Sequence, residues 1–400
     1  MSGLYFYDDV RARNFEPFSL TRPGSELRAG TSLIRTRWEH LTGLKSAGFI
    51  SSPHLSYFEE DGSPPAVAAG DEIPAGAVIV NTRCILPLDS KLDRFDLLMC
   101  DGVACAVKLA RDLPVSQFID GNTDLGAVQT SLGGRKVKGR WINEVWDLIA
   151  TLLEQLAEDI PLRARPLTMI ARPGAEIVGN NPIFVEDGAQ IGPQVVLDAS
   201  AGPILVRTGA VIAPFTWLVG PIAVGRNSII SGDRVAGSSI GDNCKVRGEC
   251  NVSILIGHGN KGHTGFVGHS YLGRWVNLGA ITTTSNLKNT YGPVQLWTPT
   301  GVRDTGQQFL GTFFGDHAKT GIGMMLSTGT VIGAGASVFG SHVPPKVVPP
   351  FAWGDTEPYD TFDLTKFLAV AERVMARRHV ELSEKARKHL TEVHKRRWSV

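Results

Sequence analysis

The stretch Val206-Arg-Thr-Gly-Ala-Val-Ile212-Ala-Pro-Phe-Thr-Trp-Leu218-Val-Gly-Pro-Ile-Ala-Val224-Gly-Arg-Asn-Ser-Ile-Ile230 places an aliphatic residue at every sixth position. A helix would repeat at 3.6 residues and a half-buried strand at two. A period of six predicts a parallel β-helix, in which one apolar side chain per short strand points inward and small residues turn the corners. The pattern continues in other phases: Val185, Ile191 and Leu197; Ile240, Val246 and Val252; Phe266, Leu272 and Leu278; then Thr320, Leu326, Ile332 and Val338. Phase breaks at 198–205 and 253–265 predict loops leaving the solenoid. Residues 284–311 abandon the repeat and predict a long excursion of the kind that often carries a binding face.

Residues 1–165, before the repeat, read as a mixed α/β domain. Apolar runs at 77–81 and 96–100 predict buried strands, and 32–42 predicts an amphipathic helix stopped by Gly43. A second helix is expected over 140–159, before Pro161, closing the first domain. The solenoid is assigned to 166–345. A Pro-rich linker and a helical tail fill 346–400, with Asp363 as N-cap. From 363 onward 10 Lys+Arg face 5 Asp+Glu. That basic tail either packs as a solvated cap or meets a phosphate-bearing ligand or a neighbouring subunit.

Over 400 residues, 40 Lys+Arg against 39 Asp+Glu leave a formal charge of +1, so the chain is no bulk polycation for nucleic acid. The 45 glycines exceed the usual ~7% and fit a backbone of regular tight turns. Five cysteines show no zinc-clip spacing and read as free thiols. Neither a signal peptide nor a long apolar span is visible. The expected setting is the cytoplasm, with no nucleic-acid or membrane partner.

Five of the ten histidines fall at 258, 263, 269, 317 and 342, beside Lys261, Asn277, Asn286 and Lys288. Within that cluster His263-Thr-Gly-Phe-Val-Gly268 is followed by Leu272-Gly-Arg-Trp-Val-Asn-Leu-Gly-Ala280. The pair resembles the signature of glucosamine-1-phosphate N-acetyltransferase domains, the left-handed β-helix halves of bifunctional N-acetylglucosamine-1-phosphate uridylyltransferases. Phe313-Phe-Gly-Asp-His-Ala-Lys-Thr-Gly-Ile322 is similar to the acetyl-CoA side of those domains. With Phe18-Ser-Leu-Thr-Arg-Pro23 and Glu26-Leu-Arg-Ala-Gly30, nearly the whole chain resembles a shorter sugar nucleotidyltransferase with a hexapeptide C-terminal half. The motifs are sharper after 240 than before it.

The resemblance implies a nucleotidyltransferase-like α/β domain, then a left-handed β-helix, working on sugar phosphates as a homotrimer. It makes His263 the base that accepts a proton as an amino sugar attacks acetyl-CoA, a role suited to imidazole. It assigns Asn277 and Asn286 to the sugar, and Gly279 and Ala280 to acetyl-CoA, where turn N–H groups could hold an oxyanion. Asp316, His317 and Lys319 fall in the second acetyl-CoA segment. Lys261, Lys288, Arg234 and Arg247 are cations in the neighbourhood of a sugar phosphate. Phe266 and Leu287 stand where the family has tyrosine, and Asn251-Val-Ser replaces a double lysine, which puts the acceptor sugar in question.

In the N-terminal domain the family's Gly-rich phosphate loop and Pro-Lys are missing: Tyr7-Asp-Asp-Val-Arg-Ala-Arg13 has no glycine, and Gly24 follows Pro23. Arg11, Arg13, Arg22 and Arg28 remain candidates for the nucleotide, with Asp8 and Asp101 for Mg2+. The domain is then a divergent transferase forming UDP-N-acetylglucosamine or a similar product, or an inactive relic. Two rivals stay open. One is a sugar-nucleotide-binding protein without chemistry. The other is a zinc enzyme like the γ-class carbonic anhydrases, using His258, His263 and a third histidine from a neighbouring subunit.

Overall fold

The computed structural model describes residues 3–128, 134–163 and 174–398, which form two compact units. The first comprises Met1–Asp147 with Ser383–Arg396, the second Leu148–Leu382 with Arg397–Val400. The boundary expected at 165/166 lies outside the described residues.

The first unit is built on a six-stranded sheet. Its strands are β1 (Leu4–Tyr7), β2 (Ser46–Ile50), β3 (Val78–Asn81), β4 (Leu97–Cys100), β5 (Val103–Lys108) and β6 (Arg135–Val137), in the order β6-β4-β5-β3-β1-β2. Strand β1 runs parallel to both neighbours and is almost wholly buried, which explains its uninterrupted Leu-Tyr-Phe-Tyr text. Helix α1 (Ile34–Thr42) connects β1 to β2 and ends at Gly43, whose φ of 66° is the left-handed cap. The chain then crosses to β3 on the other side of β1. The carboxyl ends of β1 and β3 therefore form the switch point at which open α/β sheets place ligands.

The text of 140–159 folds differently from the expected single helix. Arg140–Trp141 is a strand antiparallel to Cys84–Ile85, and Trp141 Nε1 donates to the Cys100 carbonyl at 3.0 Å. Helix α2 (Leu152–Arg163) starts later and runs through Pro161.

The second unit is a β-solenoid of left-handed hexapeptide type. Its long faces are parallel sheets of nine, six and five strands, each strand pairing with the strand one turn on. The six-residue ladder supplies the core: Val206, Ile212, Leu218, Val224 and Ile230 are fully buried in one cluster. Each such side chain contributes about 1.5–3 kcal/mol. The ladder slips at two expected positions. Cys250 and Val267, in register with Val235, point inward, whereas Val252 (φ 45°) and Phe266 are half-buried. The text at 253–265 stays largely within the solenoid, as strands Ile254–Gly257 and Asn260–Lys261; only the following few residues loop out. The excursion at 284–311 carries an antiparallel hairpin, Gln295–Thr298 with Gly301–Asp304. Helix α3 (Leu364–Ala376) is capped by Asp363, whose carboxylate accepts from the Lys366 N–H at 2.9 Å. Its Phe367 packs edge-on against Phe351 and His317.

Helix α4 (Glu384–Arg396) belongs to the first unit. His389 bonds the Thr21 carbonyl at 2.8 Å and meets Phe58 edge-on, with Leu390 and Val393 buried beside it.

Candidate functional sites

A cavity of about 310 Å3 opens at the carboxyl ends of β1 and β3, lined by Asp9, Arg11, Asn81, Arg83 and the 121–125 loop. Arg83 is its anchor. Its guanidinium grips Asp9 through Nε and Nη2 at 2.6–2.9 Å, donates to Ile142 and Asn143, and lies 5.0 Å over the Trp141 ring. Burial alone would push the Asp9 carboxyl up, but Arg83, Asn81 and the Ala12 N–H together hold it below its ordinary value. The carboxylate is thus ionised and fixed.

Of the four arginines read from sequence, Arg11 alone reaches this cavity, with a 3.3 Å bond to Asn143. Arg13 is spent on the carbonyls of Asp8, Phe118 and Ile119. Arg22 is buried in a two-bond ion pair with Glu60, and Arg28 bonds the Thr31 carbonyl. The expected magnesium pair also fails to assemble. Asp8 is buried beneath the loop, its oxygens accepting from the Gly24 N–H and the Thr82 hydroxyl, and burial raises its pKa. Asp101 instead turns the β4–β5 hairpin with Gly102, at φ 49° and 79°. No cluster of three metal-binding side chains occurs among the described residues. These two carboxylates do not fit a bound metal ion.

In the second unit His263 is exposed on a loop between two turns of the solenoid. Lys261 holds that loop. Its buried ammonium donates to the carbonyls of Arg247 (2.5 Å), Gly265 (2.6 Å) and His263 (3.2 Å), one for each N–H. Lys261 therefore shapes the histidine loop from beneath and does not face a substrate. On the next turn, the Ile281 N–H bonds the Thr264 carbonyl at 2.9 Å, which sets the Gly279-Ala280 turn beside His263. The Gly279 N–H is committed to Thr320, so it is no oxyanion donor.

Asn286 bonds His269 Nδ1 at 2.8 Å, and His269 stacks on Phe309. Burial lowers His269 to about 4, so its ring is neutral and accepts the amide proton. Arg234 pairs with Glu249 and covers Trp217, and Arg247 faces Asp233. Lys288 folds back onto the Pro293 carbonyl. Asp316 caps the Arg274 N–H at 2.7 Å. The bonds just given for these five do not reach the His263 loop.

Asn277 and Lys319 line a cavity of about 250 Å3 with Lys245, Asn260, Arg377 and Arg378. Its wall is His258 stacked on Trp275 at 4.1 Å, with buried His317 on the far side of the indole. His258 is bonded by Asn243 and by the Arg274 guanidinium, both at 3.3 Å, and a cation in that position opposes a zinc ligand role. Asp9, Asn81 and Arg83 escaped the sequence reading as site residues: Asn81 ends a predicted strand and Arg83 follows it, whereas the strand before Asp9 was not predicted. Arg377 and Arg378 were visible only as part of a net charge.

Residues 4–166 match the sugar nucleotidyl transferase family model. The chain is 28% identical to the bifunctional protein GlmU of Desulfitobacterium hafniense, over 46% of this chain and 42% of that protein. It is 27% identical to a bifunctional sugar-1-phosphate nucleotidylyltransferase/acetyltransferase of Sulfurisphaera tokodaii, over 39% of this chain and 37% of the relative. An uncharacterized acetyltransferase, YaiX, of Escherichia coli is 27% identical over 37% of this chain and 66% of its own length. The match spans about two-fifths of the two bifunctional relatives. Residues 4–166 thus carry the pattern of a sugar nucleotidyl transferase domain.

Proposed function

We propose that the chain is a two-site enzyme of nucleotide-sugar synthesis. Its solenoid N-acetylates an amino-sugar 1-phosphate, glucosamine 1-phosphate in the first instance, using acetyl-CoA. Its first unit couples a sugar 1-phosphate to a nucleotide, uridine by preference. The observation that carries the reading is His263 held exposed on a loop whose carbonyls are clamped by Lys261, beside a Gly-Ala turn.

In the acyl transfer the neutral amine attacks the thioester carbonyl. A C–N bond forms, the C–S bond breaks, His263 takes the amine proton, and the thiolate leaves and is protonated. In the first unit the cavity at the switch point receives the nucleotide, with Arg11 as its phosphate-facing cation. Magnesium enters with the triphosphate and not on an Asp8–Asp101 pair.

A homotrimer belongs to the proposal. Phe215, Ile281 and Ile322 are 73%, 63% and 77% exposed. Phe215 follows a strand of the five-stranded face that ends before the His263 loop, and Ile281 and Ile322 follow Asn277 and Lys319, which single bridges join to that face. An apolar edge beside an exposed base suits burial against a second copy. Light scattering should report three chain masses; a monomeric enzyme with full acyl transfer would contradict this part.

The assay pair that tests the whole is thiol release from acetyl-CoA with glucosamine 1-phosphate, and pyrophosphate release from UTP with N-acetylglucosamine 1-phosphate. Both are expected. Absence of both from folded protein would favour the binding protein without chemistry.

A further inference from the structure

The cavity of about 250 Å3 on the solenoid gathers four cations from separate parts of the chain. Strand register explains how. Lys245 pairs with Asn260, Asn260 with Asn277 and Asn277 with Lys319, so a Lys-Asn-Asn-Lys ladder runs along one outer face over four successive turns. Turns are spaced about 4.8 Å apart, which sets the two lysine backbones roughly 14 Å from each other. The end of α3 lies over this ladder with Val374, Arg377 and Arg378.

Among the described residues no carboxylate lines the cavity. Elsewhere on the solenoid cations are balanced, as in Arg207–Glu186, Arg234–Glu249 and Arg247–Asp233. Arginines at a helix C-terminus complement the helix dipole, but that does not account for Lys245 and Lys319 beneath them. The floor adds amide donors: Asn260 Nδ2 bonds Asn277 Oδ1 at 2.7 Å, which turns the Asn277 carbonyl to its neighbour.

We propose that this cavity is a binding site for a phosphate monoester, with Arg377, Arg378, Lys245 and Lys319 neutralising the phosphoryl group and Asn277 donating to it. Arg377 and Arg378 can present paired planar donors, and the lysines act as point charges. The aromatic wall of His258 and Trp275 excludes water from one side. Burial draws Lys319 down to about 8, so it is still protonated at pH 7, and its ammonium bonds the His317 carbonyl at 2.9 Å. An anion offsets the cost of keeping that charge inside.

The proposal stands apart from turnover, because it is a statement about binding. Two sources share the chemistry: a sugar 1-phosphate and the 3′-phosphate of coenzyme A. Calorimetric titration of the full chain with coenzyme A against dephospho-coenzyme A, and glucosamine 1-phosphate against glucosamine, separates them. In at least one pair the phosphorylated member should bind tenfold or more tightly. Arg377→Gln with Arg378→Gln should remove most of that preference without moving the melting temperature, since Arg377 is exposed and Arg378 half-buried. Lys319→Met should do the same through the floor. The pair that shows the effect identifies the source. Equal binding within both pairs, or a preference that survives in both variants, overturns the proposal.

Discussion

Lys261 occupies a rung position that Val246 fills in the turn before, yet it carries a charge into the solenoid. Three carbonyls repay its desolvation, and burial still lowers its pKa. Lys261→Met keeps the volume and removes the three bonds. We expect a loss of roughly 2–3 kcal/mol from stranding buried acceptors, and acyl transfer reduced tenfold or more with pyrophosphate release unchanged. Equal activity in the variant would show that the clamp does not position His263. At the other site, Arg83→Met strands the Asp9 carboxylate. Nucleotidyl transfer should fall at least a hundredfold and the first unit should lose about 3 kcal/mol, read by urea unfolding. An unchanged unfolding midpoint would contradict the anchoring role.

Helices show best which parts of the text were legible. The α1 helix followed from its apolar face and Gly43, and α3 from Asp363 and its stripe. The 140–159 stretch misled because Trp141 has helical spacing to Val145 and Ile149, but its indole is claimed by the Cys100 carbonyl and the Arg83 guanidinium. Helix α4 folds onto the first unit through His389, which no periodicity announces. Burial depresses His389 to about 4, against about 6.5 when unfolded. A depressed histidine adds stability above the unfolded pKa, and that stability is lost as pH falls through the folded value. The α4 docking should therefore weaken between about pH 6.5 and 4, by up to about 3 kcal/mol. Hydrogen exchange of 384–396 measures it, and His389→Phe should flatten the dependence. Protection that stays constant over that range would contradict it.

At the scale of the molecule, the β-helix was legible because its six-residue ladder is a direct print of the inward-facing core. The proposed acyl-transfer site rests on short contiguous text, around His263 and the Gly-Ala turn. Arg13, Arg22 and Arg28 looked like phosphate ligands because charge is visible in sequence, whereas the partners of Arg13 and Arg22 come from distant segments and Arg28 turns back onto the Thr31 carbonyl. The basic cavity was illegible for the same reason: its cations meet only after four turns of solenoid and a helix are in place. No helix among the described residues is long and apolar enough to cross a membrane.

The central claim is acyl transfer at His263. Thiol release from acetyl-CoA in the presence of glucosamine 1-phosphate, compared between the wild-type chain and His263→Ala, tests it most directly. Loss of a general base typically costs about 10²–10⁴-fold, so release should collapse in the variant while pyrophosphate release from UTP persists. Release undiminished by His263→Ala, or absent from well-folded wild type, would contradict the account.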